Sequence, residues 1–195
     1  MCTQKNPINR YSEQIEQLLE DYQYKRLSPH HLFLLSGLSG AGKTTWCLEL
    51  VKRAQQKGLD PVGLVSPAVF EDDVKVAIDI MDIQSGNKRR LARRQLERRQ
   101  LNPDGSITPQ WALDESALTW GNQILTNLRH AQRDMLDILI IDEMGWMEWE
   151  KGVGLVGGMQ LIDERCYRLA VVPVRSRLLE NAVKRWPWAH SYILV

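Results

Sequence analysis

Cysteine is scarce: Cys2, Cys47 and Cys166 are widely spaced, and no two form a CxxC pair. That pattern argues against a disulfide framework or a zinc site and fits a reducing compartment. Four histidines, His30, His31, His130 and His190, are scattered and read as surface or packing residues rather than ligands. No apolar run approaches the roughly 20 residues that would span a bilayer. The opening "MCTQKNPINR" carries no apolar signal region. These absences point to a cytoplasmic protein without membrane contact. A net charge of +1 gives no global attraction to nucleic acid, so any such attraction must be local. Internal repeats are lacking, and nothing in the middle resembles an interdomain linker. The 195 residues suit one compact domain with a real core.

What is present is an alternation of buried strands and amphipathic helices. Ile15, Leu18, Leu19 and Tyr22 fall at helical spacing, with Ser12 placed to cap the segment. "HLFLLSG" reads as a buried strand ending in glycine. Cys47, Leu50, Val51 and Ala54 then line one face of a helix that stops at Gly58. "PVGLVS" and "VKVAIDIMDI" read as strands, the second alternating enough to join a hairpin near a sheet edge. Residues 85–110 look irregular or partly helical and end in the turn signal "NPDG". A helix is expected from about Asp114 to Gln132, with Ala117, Trp120, Ile124 and Leu128 inward. "LDILIID" is a further buried strand, followed by the glycine-broken stretch "GVGLVGGMQLID". "YRLAVVPV", "SRLLENAVKRW" and "SYILV" close the chain as strand, helix and short strand. The class is α/β with a mainly parallel sheet.

Asp142-Glu143 ends the strand "LDILII". Ionised carboxylates at the end of a buried strand are costly unless something pairs with them. The partner stands about a hundred residues earlier. "GLSGAGKT", Gly37 to Thr44, matches G-x-x-x-x-G-K-[ST], the phosphate-binding loop, between a strand and a helix. A chance match in a chain of this size is on the order of one per cent. Gly37, Gly40 and Gly42 let the backbone turn its N–H groups toward phosphate oxygens. The helix starting near Lys43 adds its positive N-terminal dipole. Lys43 places an ammonium between the β- and γ-phosphates, and the Thr44 hydroxyl can ligate Mg²⁺. In a parallel sheet the carboxyl ends of strands converge on the ligand crevice. Asp142 would there join the Mg²⁺ shell, and Glu143 would face a water in line with the γ-phosphate. A base beside the metal ligand favours hydrolysis over transfer to another acceptor.

From about Leu32 onward the chain resembles the P-loop nucleoside-triphosphatase family that includes thermophile and cancer-related NTPases. "LSGLSGAGKTT", "GLVSPAVFEDDVKVAIDIMDIQSGNKRRLAR", "WALDESALTWGNQIL" and "IIDEMGWMEW" carry the resemblance. It implies a three-layer α/β/α fold with a RecA-like, mainly parallel sheet and an antiparallel edge hairpin. It also implies Mg²⁺-dependent hydrolysis of ATP or GTP with loose base preference. Lys43 and Glu143 are then the candidate catalytic residues, and Thr44 and Asp142 the metal ligands. Gly37, Leu38, Ser39, Gly40, Ala41, Gly42, Lys43, Thr44 and Thr45 are the candidate nucleotide-binding set. Two departures stand out: Trp149 replaces the family's leucine after Glu148, and residues 1–30 have no counterpart. The expected organisation is an N-terminal helical extension, 1–30, and a single P-loop NTPase domain, 31–195.

"NKRRLARRQLERRQ" holds seven basic residues against Glu97. A solvated surface segment is the plain reading. Alternatively Arg89, Arg90 or Arg93 closes over the triphosphate, or the run 88–99 binds an acidic partner. Nucleic acid is disfavoured, because no stacking aromatics are interleaved. Trp111, Trp120, Trp186 and Trp188 read as packing residues; Trp146 and Trp149, just past the acids, could stack on a base or face a subunit, but core or interface packing is the favoured reading. Arg175, Ser176 and Arg177 end a strand where a γ-phosphate sensor could sit, and Glu148 either supports the site or is exposed. An NTPase leads. A small-molecule or nucleotide kinase with residues 85–110 as lid is the alternative, and a nucleotide-operated switch or adaptor is the third reading. A switch-type GTPase and a transporter ATPase are disfavoured by the lack of Asn-Lys-x-Asp and LSGGQ-like motifs. Self-association is left open.

Overall fold

Successive residues of the central strands are apolar, and their side chains alternate between two cores. The structure is a computed structural model describing residues 7–101, 107–130, 135–142, 144–145 and 147–194. In β7 (Leu136–Ile141), Ile138 and Ile140 join Trp46 and Leu50, whereas Leu139 and Ile141 join Leu125 and Ile162. β8 (Tyr167–Arg175) divides the same way, Leu169 and Val171 against Ala170 and Val172. Strands apolar on both faces need a helical layer on each. α1 (Pro7–Gln23) and α2 (Lys43–Gln56) cover one face. α3 (Glu115–His130), α4 (Val156–Glu164) and α5 (Leu179–Arg185) cover the other. The result is a three-layer α/β/α fold.

The remaining strands are β1 (His31–Gly37), β2 (Pro61–Val65), β3 (Ala68–Glu71), β4 (Val74–Asp82), β5 (Lys88–Leu101), β6 (Ile107–Leu113) and β9 (His190–Ile193). The sheet order is β6-β5-β4-β2-β7-β8-β1-β9, with β3 paired to β4. β2, β7, β8, β1 and β9 run parallel, and β3 to β6 form an antiparallel wing. β8 lies between β1 and β7.

Three local expectations are corrected. Within 85–110, residues 88–101 and 107–110 are strand rather than irregular or helical; β5 and β6 pair antiparallel, and the "NPDG" turn falls outside the described residues. Arg, Lys and Gln are poor strand formers in isolation, but pairing and burial override that preference. β4 supplies the pairing, and a bulge at Leu91 lets both Leu91 and Ala92 enter the core. Ser12 does not cap α1, which begins at Pro7; its Oγ instead accepts a hydrogen bond from Arg53 Nη2 at 2.8 Å. The glycine-broken stretch forms α4. Glycine disfavours helix in isolation, yet a Cβ on Gly158 would meet Ile141 Cγ2 at 2.7 Å, so close packing on β7 requires it.

At the amino end of the sheet His31 stacks on His190, ring centroids 4.3 Å apart, with Ser28 Oγ 3.2 Å from His31 Nδ1. Burial, and then His190, lower the His31 pKa to about 4, against a smaller opposite effect of Asp21. The folded value lies below the unfolded 6.5, so the folded state binds fewer protons between them. Stability should therefore be intact above about pH 6.5 and decline as pH falls toward 4. His31→Gln should flatten that decline in thermal melts taken across the window. An equally steep fall in the variant would remove His31 as its source.

Candidate active site

The carboxyl ends of β1, β2, β7 and β8 meet at one edge of the sheet, where every element carries one polar contribution. β1 ends at Gly37 and the chain turns, Ala41 N donating to Leu38 O at 3.2 Å, before α2 opens with Trp46 N on Gly42 O at 2.8 Å. Gly40 and Gly42 have φ of +83° and +89°, a region where side chains are strained. Gly42 is the N-cap of α2 and offers no side-chain cap. The first-turn N–H groups, including those of Lys43, Thr44 and Thr45, lack intrahelical partners by construction and suit an anion. Leu38, Ser39 and Gly40 are exposed at the rim of the loop, and Ala41 is half-buried.

Lys43 arches back over the loop, its Nζ donating to Gly37 O and Leu38 O at 2.7 Å each. The Thr44 hydroxyl donates to Asp142 Oδ2 at 2.7 Å, and Ser66 N donates to the same oxygen at 3.2 Å. Asp142 is only 3% exposed. The structure thus brings Gly37 to Thr45 and Asp142 together at one edge. Glu143 and Trp146 lie outside the described residues.

Ser66 was not foreseen as a site residue. Its Oγ is buried and, among the described residues, has no hydrogen-bond partner. The available signal was its position at the end of "PVGLVS", beside the acid strand. Thr44, Asp142 and Ser66 offer hard oxygen donors. Among the described residues no cluster of three or more His, Cys, Asp or Glu could hold a metal unaided. Mg²⁺ favours oxygen, keeps several waters and is commonly shared with substrate phosphates, so this donor set fits it.

Beneath the loop, Cys47 is buried; burial, then the Asp142 carboxylate, push its thiol pKa well up, with Lys43 opposing. Arg175 ends β8 in register with Gly37, exposed at the same edge as the loop. The three arginines of the basic run diverge. Arg90 Nε bonds Asp79 at 2.6 Å, Arg89 lies 4.9 Å over the Trp120 ring, and Arg93 is exposed opposite Ala77. Trp149 packs edge-on against Trp186 at 5.0 Å, a core contact rather than a base platform.

With this geometry the comparisons agree. A family model described as NTPase matches residues 32–186. The chain belongs to the NTPase family. It is therefore an NTPase by class, an enzyme. It is 26% identical over 155 residues to a nucleoside-triphosphatase THEP1 of Methanopyrus kandleri, covering 76% of each chain. To the protein of that name from Caldivirga maquilingensis it is 25% identical over 160 residues, 82% of this chain and 79% of that one. The solution structure of a human cancer-related nucleoside triphosphatase superposes with a TM-score of 0.56 at 20% identity, over 85% of this chain and 88% of that one, a likeness of fold.

Glu148 is buried rather than exposed, in a π-helical turn, Met147–Lys151. Its Oε2 accepts from Gly145 N at 2.7 Å and its Oε1 from Leu155 N at 2.8 Å, so one carboxylate ties the segment after Asp142 to the start of α4. Glu148→Gln keeps the shape but turns one acceptor into a donor facing an N–H. An unsatisfied buried group costs about 1–3 kcal/mol. Denaturant titration should show a loss in that range, and an unchanged midpoint would mean that the second acceptor oxygen contributes nothing.

Proposed function

We propose that the protein hydrolyses nucleoside triphosphates, ATP or GTP, to the diphosphate and phosphate with Mg²⁺ as cofactor. One observation carries this reading: the hydroxyl of Thr44, in the phosphate loop, bonds the carboxylate of Asp142, 98 residues later. These are the two groups that a Mg-nucleotide needs side by side. Mg²⁺ bound there would neutralise charge on the β- and γ-phosphoryl oxygens.

The chain's own residues do the rest. Backbone N–H groups of residues 40–45 and the α2 dipole bind the phosphates, and Lys43 exchanges its loop carbonyls for phosphoryl oxygens. Glu143 accepts the proton as the water oxygen attacks the γ-phosphorus. The bond from the γ-phosphorus to the bridging oxygen breaks, and the diphosphate leaves with that electron pair. Arg175, in register with Gly37 at the same sheet edge, is the candidate to meet charge developing on the γ-phosphoryl group.

The kinase alternative needed residues 85–110 as a lid, and of these 88–101 and 107–110 lie in strands, with Leu91 and Ala92 in the core. The switch alternative has no observation in its favour. Within the basic run, Arg90 and Arg89 already engage Asp79 and Trp120, and the reading calls on neither an acidic partner at 88–99 nor an oligomer. A cytoplasmic setting accords with three widely spaced cysteines and no CxxC pair.

Phosphate release from Mg-ATP and Mg-GTP without any acceptor tests this directly. Glu143→Gln should lower kcat by about 10²–10⁴-fold, the scale of a general base, with nucleotide binding kept. Asp142→Asn should raise the Mg²⁺ requirement as well as slow turnover. Near-normal hydrolysis by Glu143→Gln would sink the water-activating role, and turnover only with an added acceptor would favour the kinase.

A further inference from the structure

The family match stops short of both ends of the chain, leaving α1 before residue 32 and β9 after residue 186. Both ends nonetheless touch the phosphate loop. Tyr11 of α1 donates its hydroxyl to Ala41 O at 3.0 Å. A Cβ on Gly42 would lie 2.7 Å from that same hydroxyl. From the other end, Leu194 N donates to Ser36 O at 2.7 Å, and a Cβ on Gly37 would sit 3.2 Å from Leu194 O. The two ends are joined to each other by Gln14 Nε2 donating to the Tyr192 hydroxyl.

α1 is held firmly enough to impose a position. Ile15, Leu18 and Leu19 are buried in the core beneath α2. Arg53 of α2 bonds Glu16 at 2.7 Å and Ser12 at 2.8 Å, and Lys57 pairs with Glu16 at 2.9 Å. At the far end of the helix, Tyr22 donates to Asp137 Oδ1 at 2.8 Å. Such a helix can fix a partner that the loop alone would leave free to turn.

The peptide joining Ala41 to Gly42 is trans, so its carbonyl and its N–H point in opposite directions. With the carbonyl held toward Tyr11, the Gly42 N–H is turned away from α1. We propose that Tyr11 is a positioning residue for nucleotide binding: its hydroxyl locks this peptide so that the Gly42 N–H stays in the phosphate cradle. Preset donors bind an anion without first reorganising. The proposal rests on the NTPase reading of the loop and extends it to a residue outside the stretch that the family model matches.

The test compares Tyr11→Phe with Tyr22→Phe. Each removes one hydroxyl from α1, but only the first touches the loop. ATP and GTP titrations with Mg²⁺ should show Kd raised about 3- to 10-fold for Tyr11→Phe, the equivalent of one hydrogen bond. Its KM should rise in step with kcat held within about twofold, as expected when ground-state and transition-state binding weaken equally. Tyr22→Phe should match the wild type in both. Thermal melts of both variants show whether α1 stays docked. Wild-type affinity in Tyr11→Phe, or an equal loss in Tyr22→Phe, would overturn the proposal while leaving the NTPase reading intact. A wild-type protein that binds neither nucleotide would overturn both.

Discussion

A carboxylate buried at the end of a strand costs free energy unless donors surround it, and Asp142 draws its donors from two other segments. Thr44 approaches from the start of α2 and the Ser66 backbone from the end of β2. The second contact requires β2 to neighbour β7, as Leu64 pairing with Ile141 provides. The first is harder, because β1 stands two places from β7 with β8 between. α2 leaves β1 toward β2, so its first turn is carried across in the direction of the acid. A parallel crossover does this by its handedness. Strand order and the Thr44–Asp142 bond are thus two aspects of one constraint.

The same edge sorts charge by position. Cationic groups gather where phosphates would lie: Lys43 above the loop, Arg175 beside Gly37 and the N-terminal dipole of α2. The anion Asp142 stands one step away, under Thr44. Between them runs a loop with no side-chain cap, so backbone donors face outward instead of being consumed locally. A Ser or Asp at Gly42 would offer a cap, but it would collide with Tyr11 and occupy the first-turn donors.

How far the sequence disclosed this depends on the range of each interaction. The loop, the acid strand and the central strands were legible because their signals are local: a glycine spacing, a run of apolar residues, an acid pair. Helix α2 and its stop at Gly58 were equally plain, with Leu59 N closing on Ala54 O at 3.0 Å. What escaped was set by distant partners. The basic strand β5 looked unlike a strand because its residues form one only when β4 and β6 flank it. Gly157 and Gly158 looked like breaks, since the closeness of β7 to α4 leaves no mark in the local pattern. Ser12 looked like a cap until Arg53, 41 residues on, claimed it. Glu148 could be suspected, but its two-donor role depends on the π-helical turn that it stabilises.

The ends of the chain complete the argument about rigidity. A phosphate loop hung on an edge strand would move with that edge, because one flank of the strand would lack hydrogen-bonded neighbours. β9 removes that problem by pairing with Phe33 to Ser36, opposite the flank that β8 holds. The root of the loop is therefore fixed on both sides, while α2 fixes its far end through Trp46, Leu50 and Ala54 in the core with α1. The peptides from Leu38 to Ala41 carry no sheet or helix bond, and Gly42 O takes the first helix bond from Trp46 N. That short span is where Tyr11 makes contact, through its hydroxyl on Ala41 O.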